Sequence, residues 1–190
     1  KRIRIFENYI SKNNLDNFAP PWNIVGKVPS GTGVMIMATK EVEVFDNLIV
    51  GNKTAGTAIV SYYITEEPIN DTTYNPYTSA VFIHNNTYQR KTQIPTLDHE
   101  IGQLLFLRFG RNIPDIIYDG MLDPDLFLDD KNILPDKRLC IQNNKNATYL
   151  NLDVVNTRIF ANNIWFILLF NCNLFGLWIL KSNNQNEYSS

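Results

Sequence analysis

The chain is poor in the residues that usually announce a chemistry. Its 190 residues include two cysteines, two histidines, three methionines and nine glycines. Cys140 and Cys172 form no CxxC motif, so spacing identifies neither a thiol zinc site nor a redox pair. One disulfide or two buried thiols would both fit. His84 and His99 stand 15 positions apart without a carboxylate-rich pattern, which argues against a zinc centre. Charge of one sign is also missing. Seventeen basic and 19 acidic residues are intermixed, for a net charge of −2, and no basic stripe marks a nucleic-acid partner. The apolar runs through most of the chain are too short for helices.

What the chain does have is a repeat, clearest in Gly31 to Thr54. Three short apolar runs lie there, Val34–Ile36, Val42–Val44 and Leu48–Val50, punctuated by Gly, Asn, Asp and Lys. Each suits a strand, and there is almost no room between them for hairpin turns. Three strands in 24 residues therefore point to one coil of a parallel β-solenoid. Copies of the coil follow. Ile5, Asn8, Ile10 and Asn13 match Val44, Asn47, Ile49 and Asn52 at an offset of 39. The same offset leads on to Ile83, Asn86 and Tyr88, while Lys91 breaks the fourth position, and Ile141 and Asn144 echo the start once more. A second offset, 24, carries Val34 and Ile36 onto Ala58 and Val60. The two are reconciled if 39 is a bare coil of 24 with 15 residues inserted at one corner. On this reading Met35, Met37, Ile59 and Ser61 face outward. Asn8, Asn47, Asn86 and Asn144 fall at one corner of successive coils, where side-chain amides can form a ladder along the stack. Asn is abundant, 25 residues, but abundance does not fix its spacing relative to Val and Ile. In such a chain the sequons at Asn52, Asn70, Asn85 and Asn146 are expected by chance.

The unit VEVFDNLIVGNKTAGTAIV resembles the right-handed parallel β-helix repeat of pectin- and alginate-active enzymes. The segments SAVFIHNNTYQR, IPDIIYDG and KRLCIQNNKNATYLNLD extend that resemblance over residues 1–153. More narrowly, the chain is similar to bacterial parallel β-helix repeat surface proteins of unassigned activity. The resemblance implies an all-β, pectate-lyase-like, right-handed parallel β-helix in an extracytoplasmic setting: secreted, periplasmic or at the cell surface. It is specific for fold and unspecific for activity. Because Lys1 already lies inside a repeat, the chain reads as the C-terminal part of a longer solenoid, any signal segment lying upstream.

Between the repeats lie the candidate sites. Residues 14–30 form one inserted loop, with Trp22 available to stack on a ligand. Residues 61–79 form another, with Tyr62, Tyr63, Tyr74 and Tyr77, whose rings pair an apolar plane with a polar tip suited to sugars. Residues 91–103 read as a loop holding Asp98, His99 and Glu100, and 104–108 (LLFLR) as a return to the core. An Asp-rich stretch follows. Asp119, Asp123, Asp125 and Asp129 could supply oxygen ligands for Ca²⁺, though the spacing is that of no EF-hand. Asp119, Asp123 and Asp129, with Arg111, are the weak candidates for acid/base work on a glycosidic linkage. A solvated acidic loop explains the same residues. A last strand pair is expected around Leu139–Ile141 and Tyr149–Leu152. The tail 154–190 departs from all this. Its apolar run Ile164–Leu180 is at the lower length limit of a membrane span and is interrupted by Asn171, Asn173 and Gly176. A membrane anchor, an end cap and an out-of-frame tail all remain open.

Two functions follow. One is a non-catalytic surface, scaffold or binding protein, which needs no reactive centre and meets a polysaccharide or cell-surface component. The other is a carbohydrate-active protein of polysaccharide lyase, epimerase or hydrolase type, acting on acidic polysaccharide in a groove walled by the two inserted loops. No cofactor is implied beyond Ca²⁺ at the aspartates.

Overall fold

Strand alternation inside the repeat sets the architecture. The computed structural model describes residues 2–20, 22–129 and 132–152, apart from the side chains of 128, 129, 132 and 135. Cys172, Asp130 and the tail from 153 onward lie outside it. The strands are β1 (Ile3–Phe6), β2 (Tyr9–Ser11), β3 (Thr32–Met37), β4 (Lys40–Phe45), β5 (Leu48–Val50), β6 (Ala55–Val60), β7 (Ser79–His84), β8 (Thr87–Gln89), β9 (Ile116–Tyr118), β10 (Phe127–Asp129), β11 (Asn132–Ile133), β12 (Leu139–Gln142) and β13 (Tyr149–Asn151). Among the described residues one α-helix, α1 (Glu100–Phe109), interrupts them.

Three parallel sheets result. Sheet I has the order β1-β4-β7-β12, sheet II β2-β5-β8, and sheet III β13-β9-β6-β3. A small antiparallel pair, β10-β11, stands beside them. The chain visits the sheets in turn, β4 in I, β5 in II and β6 in III, then β7 and β8 in I and II. In sheet I, Val42 lies between Ile3 and Val81, and Val44 between Ile5 and Ile83, so each step is the 39-residue spacing read from the sequence. Sheet II keeps the same step, Ile10 beside Ile49 beside Tyr88.

Inward side chains of all three sheets meet in one core. Val42, Val44, Val81, Ile83, Leu139 and Ile141 come from sheet I, Ile49 and Tyr88 from sheet II, and Val34, Ile36, Ile59, Ile116 and Tyr118 from sheet III. Tyr88 is fully buried, and its hydroxyl is satisfied by Thr57 Oγ1 at 2.8 Å. Burial pushes both Tyr88 and Tyr118 far above the ordinary phenol range.

The corner between sheets I and II is held by the asparagine ladder. Asn8 Nδ2 donates to Asn47 Oδ1 (3.0 Å), Asn47 Nδ2 to Asn86 Oδ1 (2.9 Å) and Asn86 Nδ2 to Asn144 Oδ1 (2.9 Å). Each acceptor oxygen also takes the backbone N–H of the asparagine before it in the stack. Buried Asn47 and Asn86 thus close the backbone bonds that a sharp corner would strand. The left-handed residue of each corner is the one preceding the ladder asparagine: Glu7, Asp46, Asn85 and Asn143.

Two expectations fail, for related reasons. In sheet III the spacing from β3 to β6 is 23, not 24: Val34 pairs with Thr57, Met35 with Ala58 and Ile36 with Ile59. A shift of one residue exchanges the faces of a strand. Ile59 therefore points into the core rather than outward, and Ser61 is buried just beyond the strand. The second is α1, a helix where a loop over 91–103 and a return to the core over 104–108 were expected; Leu105 does reach a core cluster. Ile101, Leu105 and Phe109 recur every four residues and pack with Ala55, Ala58, Ile113 and Ile117, with Met35 and Leu150 at the edge. The helix lies on the outer face of sheet III, which is why every residue of β6 is buried. Gly110 ends it at φ 58°, its N–H bonded to Phe106 O at 2.8 Å. Gly102 permits the close docking, since a Cβ there would overlap the Thr96 carbonyl oxygen.

Candidate functional site

The two inserted loops are ordered by their own polar groups and are tied together. In the first, Asn17 Nδ2 donates to Val25 O (2.6 Å) and Val28 O (3.2 Å), and Asn23 caps a short 3₁₀ turn at Ile24–Lys27. Lys27 then reaches the second loop, where Nζ donates to Thr65 O at 3.0 Å and pairs with Glu67. Within that loop the four tyrosines form two edge-to-face pairs, Tyr62 with Tyr74 (5.4 Å between centroids) and Tyr63 with Tyr77 (5.5 Å). Burial, the Tyr63 hydroxyl and the charges of Asp123 and Asp125 all raise the Tyr77 phenol. The tyrosines are therefore gathered, and two of the aspartates lie beside them. Trp22 is exposed on the first loop and forms no ring pair with them.

The aspartates are largely committed to the backbone. Asp119 is buried. Its oxygens accept the N–H groups of Ser61 (2.6 Å) and Met121 (2.9 Å), while burial raises its carboxyl above the ordinary value against those bonds. Asp123, also buried, caps a 3₁₀ turn through the Asp125 N–H (3.1 Å), accepts from Asn75 Nδ2 (2.8 Å) and stands 3.6 Å from Lys40 Nζ. Asp125 is exposed. Asp129 lies on β10, its side chain among those not described. Among the described residues no group of three or more His, Cys, Asp or Glu is placed to hold a metal ion. Arg111 is exposed at the turn after α1 and forms no ion pair with Asp119, Asp123 or Asp125. Asp98 accepts from the Ser30 hydroxyl, His99 occupies the N-cap position of α1 without a side-chain cap bond, and Glu100 occupies its first turn.

The outer face of sheet I brings together groups that no motif announces. Alternation sends Val42, Val44, Val81 and Ile83 inward, so Arg4, Phe6, Glu43, Phe45, Phe82 and His84 stand outward in the same register. Phe6, Phe45 and His84 stack in a row, 5.1 Å between successive centroids, with interplanar angles of 9° and 4°. Phe82 stacks on His84 at 4.0 Å. The Arg4 guanidinium lies over the Phe45 ring at 4.7 Å and over Phe6 at 5.3 Å. Its Nε donates to Glu43 Oε2 at 2.8 Å, and Glu43 Oε1 is 3.2 Å from His84 Nε2. Partial burial acts to raise the Glu43 carboxyl, but hydrogen bonds from His84 and Arg4 outweigh it and leave the group below its ordinary value. The 39-residue offset already aligned Phe6, Phe45 and His84. Reading that offset for the outward positions as well as the inward ones would have found the face.

Among the described residues these elements define a parallel-sheet protein with one accessible aromatic and charged sheet face, and a second face covered by its own helix. No protein-family model, curated protein or solved structure matches the chain. Among the described residues no helix is long and apolar enough to cross a membrane, and the 164–180 run lies outside them.

Proposed function

We propose that the chain is part of a right-handed parallel β-helix acting extracytoplasmically as a non-catalytic surface or binding protein, with the outer face of sheet I as its contact surface. The observation that carries this reading is the stacked row Phe6–Phe45–His84, flanked by Arg4 and Glu43 on an open sheet. Aromatic rings with polar neighbours suit the faces of sugar rings or of planar groups on a cell-surface component. A flat face does not exclude water as catalysis by charge stabilisation requires. Glu43, held in its ionised form by Arg4 and His84, is a weak proton donor near neutral pH. The groove expected for a carbohydrate-active enzyme would have run over sheet III, where α1 sits. The fold here rests on the three parallel sheets and on the resemblance of the repeat, the location on the resemblance alone.

The test is a glycan array followed by calorimetry on the strongest ligand. Phe6→Ala with Phe45→Ala should weaken binding at least about tenfold, equivalent to about 1.4 kcal/mol, with little change in melting temperature. Binding unchanged in that variant would sink the choice of face. A second reading, polysaccharide processing by a lyase, epimerase or hydrolase, is favoured by the Glu43–His84 contact at 3.2 Å. Turnover of pectate or alginate that disappears in Glu43→Gln would replace the binding reading with this one.

A further inference from the structure

The repeat breaks at one corner, and the break is cationic. After β2, β5 and β8 the chain runs Lys12-Asn13-Asn14, Gly51-Asn52-Lys53 and Arg90-Lys91-Thr92. Backbone bonds from Lys12 N–H to Val50 O and from Gly51 N–H to Gln89 O, both 2.9 Å, stack the three segments. Asn13 N–H donates to Asn52 Oδ1 at 3.0 Å, starting a second ladder. Lys91 stands where the next asparagine would continue it.

A cleft of about 620 Å³ opens at this corner. Lys12, Lys53, Arg90 and Lys91 line it, with the side-chain amides of Asn14 and Gln93, and no Asp or Glu is among its lining residues. The three lysines are exposed. Arg90 is different. Its side chain is only 10% exposed, its Nε faces Asp115 Oδ1 at 3.6 Å, and its Nη1 is buried with no acceptor. Gln93 Nε2 is likewise buried without a partner. The three exposed lysines around one recess repel one another, while Arg90 is offset by Asp115, in a chain whose overall charge is negative. Desolvated donors without acceptors add a further cost. A bound anion removes the repulsion among the lysines.

We propose that this cleft is a binding site for a compact polyvalent oxyanion, a phosphoryl or sulfo group carried on a small polar molecule. The exposed lysines act as point charges around a tetrahedral oxyanion, and Arg90 adds positive charge at the cleft wall. A recess at a single corner, with no basic stripe leading away, fits a small ligand better than a nucleic acid or a membrane. The site lies beyond sheet II and is independent of the sheet I face.

Calorimetric titration of the whole chain with pyrophosphate, and separately with a sulfated disaccharide, tests this. At least one should bind saturably, one per chain, with a Kd below about 1 mM. The tighter of the two identifies the carrier. Lys53→Gln with Lys91→Gln, both exposed positions, should weaken that binding at least tenfold without lowering the melting temperature. Phe6→Ala with Phe45→Ala should leave the affinity as it was. Absence of saturable binding by both ligands, affinity unmoved by the lysine variant, or loss of binding in the sheet I variant would each overturn the proposal.

Discussion

Sheets I and III are built by the same alternation and share one core, yet their outer faces have opposite fates. Outward on sheet III are small and aliphatic residues, Ala58, Ile117 and Met35, and α1 covers them. Outward on sheet I are Arg4, Phe6, Glu43, Phe45 and His84, and they remain partly accessible. The difference arises between the strands. From β6 to β9 the chain advances from Thr57 to Ile116, long enough to carry a helix back over sheet III. In sheet I the 39-residue step from β4 to β7 spends its extra length on the tyrosine loop. A stack of parallel strands thus assigns its faces through its insertions: small residues accept a helix, and large aromatic and paired charged residues keep a face open to others.

The largest effect should come from the core both faces share. Val44 is fully buried, and Val44→Asp would place an unpaired carboxylate there at a cost beyond what a small domain can lose. Far-UV circular dichroism should show the β spectrum collapsing. A β spectrum and cooperative melt close to those of the parent would refute the shared core.

Next in size is the cover of sheet III. Leu105→Ala removes the side chain that α1 buries most completely and should cost about 2–5 kcal/mol. Hydrogen exchange should accelerate in α1 and over β6, while glycan binding at sheet I stays as it was. Equal acceleration in sheet I would mean that the two faces are not separable.

Asn47→Ala tests the corner that joins sheets I and II. It strands the backbone N–H of Asn8 and removes the side-chain donor to the carbonyls of Ile5 and Phe45 and to Asn86 Oδ1, which keeps the residue-47 backbone N–H. The expected loss is about 1–3 kcal/mol, the cost of leaving a buried group unsatisfied, measured by urea denaturation. A loss within error would reduce the ladder to a surface ornament of the corner.

The sheet I face should also reveal itself in acid. The Glu43 carboxyl is lower when folded than its ordinary 4.5. Its contribution is therefore fully present above that value and is lost as pH falls through the lower folded one. Because Arg4 is about half exposed, the effect is small, at most about 1 kcal/mol or 2–4 °C in melting temperature. Glu43→Gln should flatten this part of the acid limb, and an unchanged limb would separate Glu43 from its partners.

The smallest effect concerns the aspartates beside the tyrosine loop. Asp119 and Asp123 already serve the backbone, Asn75 and Lys40. Millimolar Ca²⁺ should therefore leave the melting temperature within about 1 °C, since a bound ion would raise it by linkage. A clear rise that Asp125→Asn with Asp129→Asn abolishes would restore the calcium site.

Much of the fold was legible because it is local and periodic. Val42, Val44, Val81 and Ile83 alternate within short runs, and an exact 39-residue step can be read wherever Asn, Val and Ile recur together. The asparagine ladder followed from spacing alone, since identical side chains at identical corners meet by construction. The sequence likewise determined where insertions fall and that Lys91 departs from the pattern. Other features were decided only by the tertiary structure. The β3–β6 register slipped by one because Val34/Ile36 and Ala58/Val60 are matched by hydrophobicity alone, and Thr57 earns its inward place through the Tyr88 hydroxyl, a partner 31 residues away. Helix α1 was hidden because its turns read as a short apolar run until sheet III supplied a surface for Ile101, Leu105 and Phe109. The sheet I face is in the sequence one residue at a time, as Arg4, Glu43 and His84. Arg4 and Glu43, 39 apart, become neighbours only when parallel stacking brings them to strand spacing, about 4.8 Å, and His84, 41 on from Glu43, meets it on the diagonal. Local periodicity determines which residues can be strands; which faces are covered, and which charges meet, is settled by contacts between residues far apart in the chain.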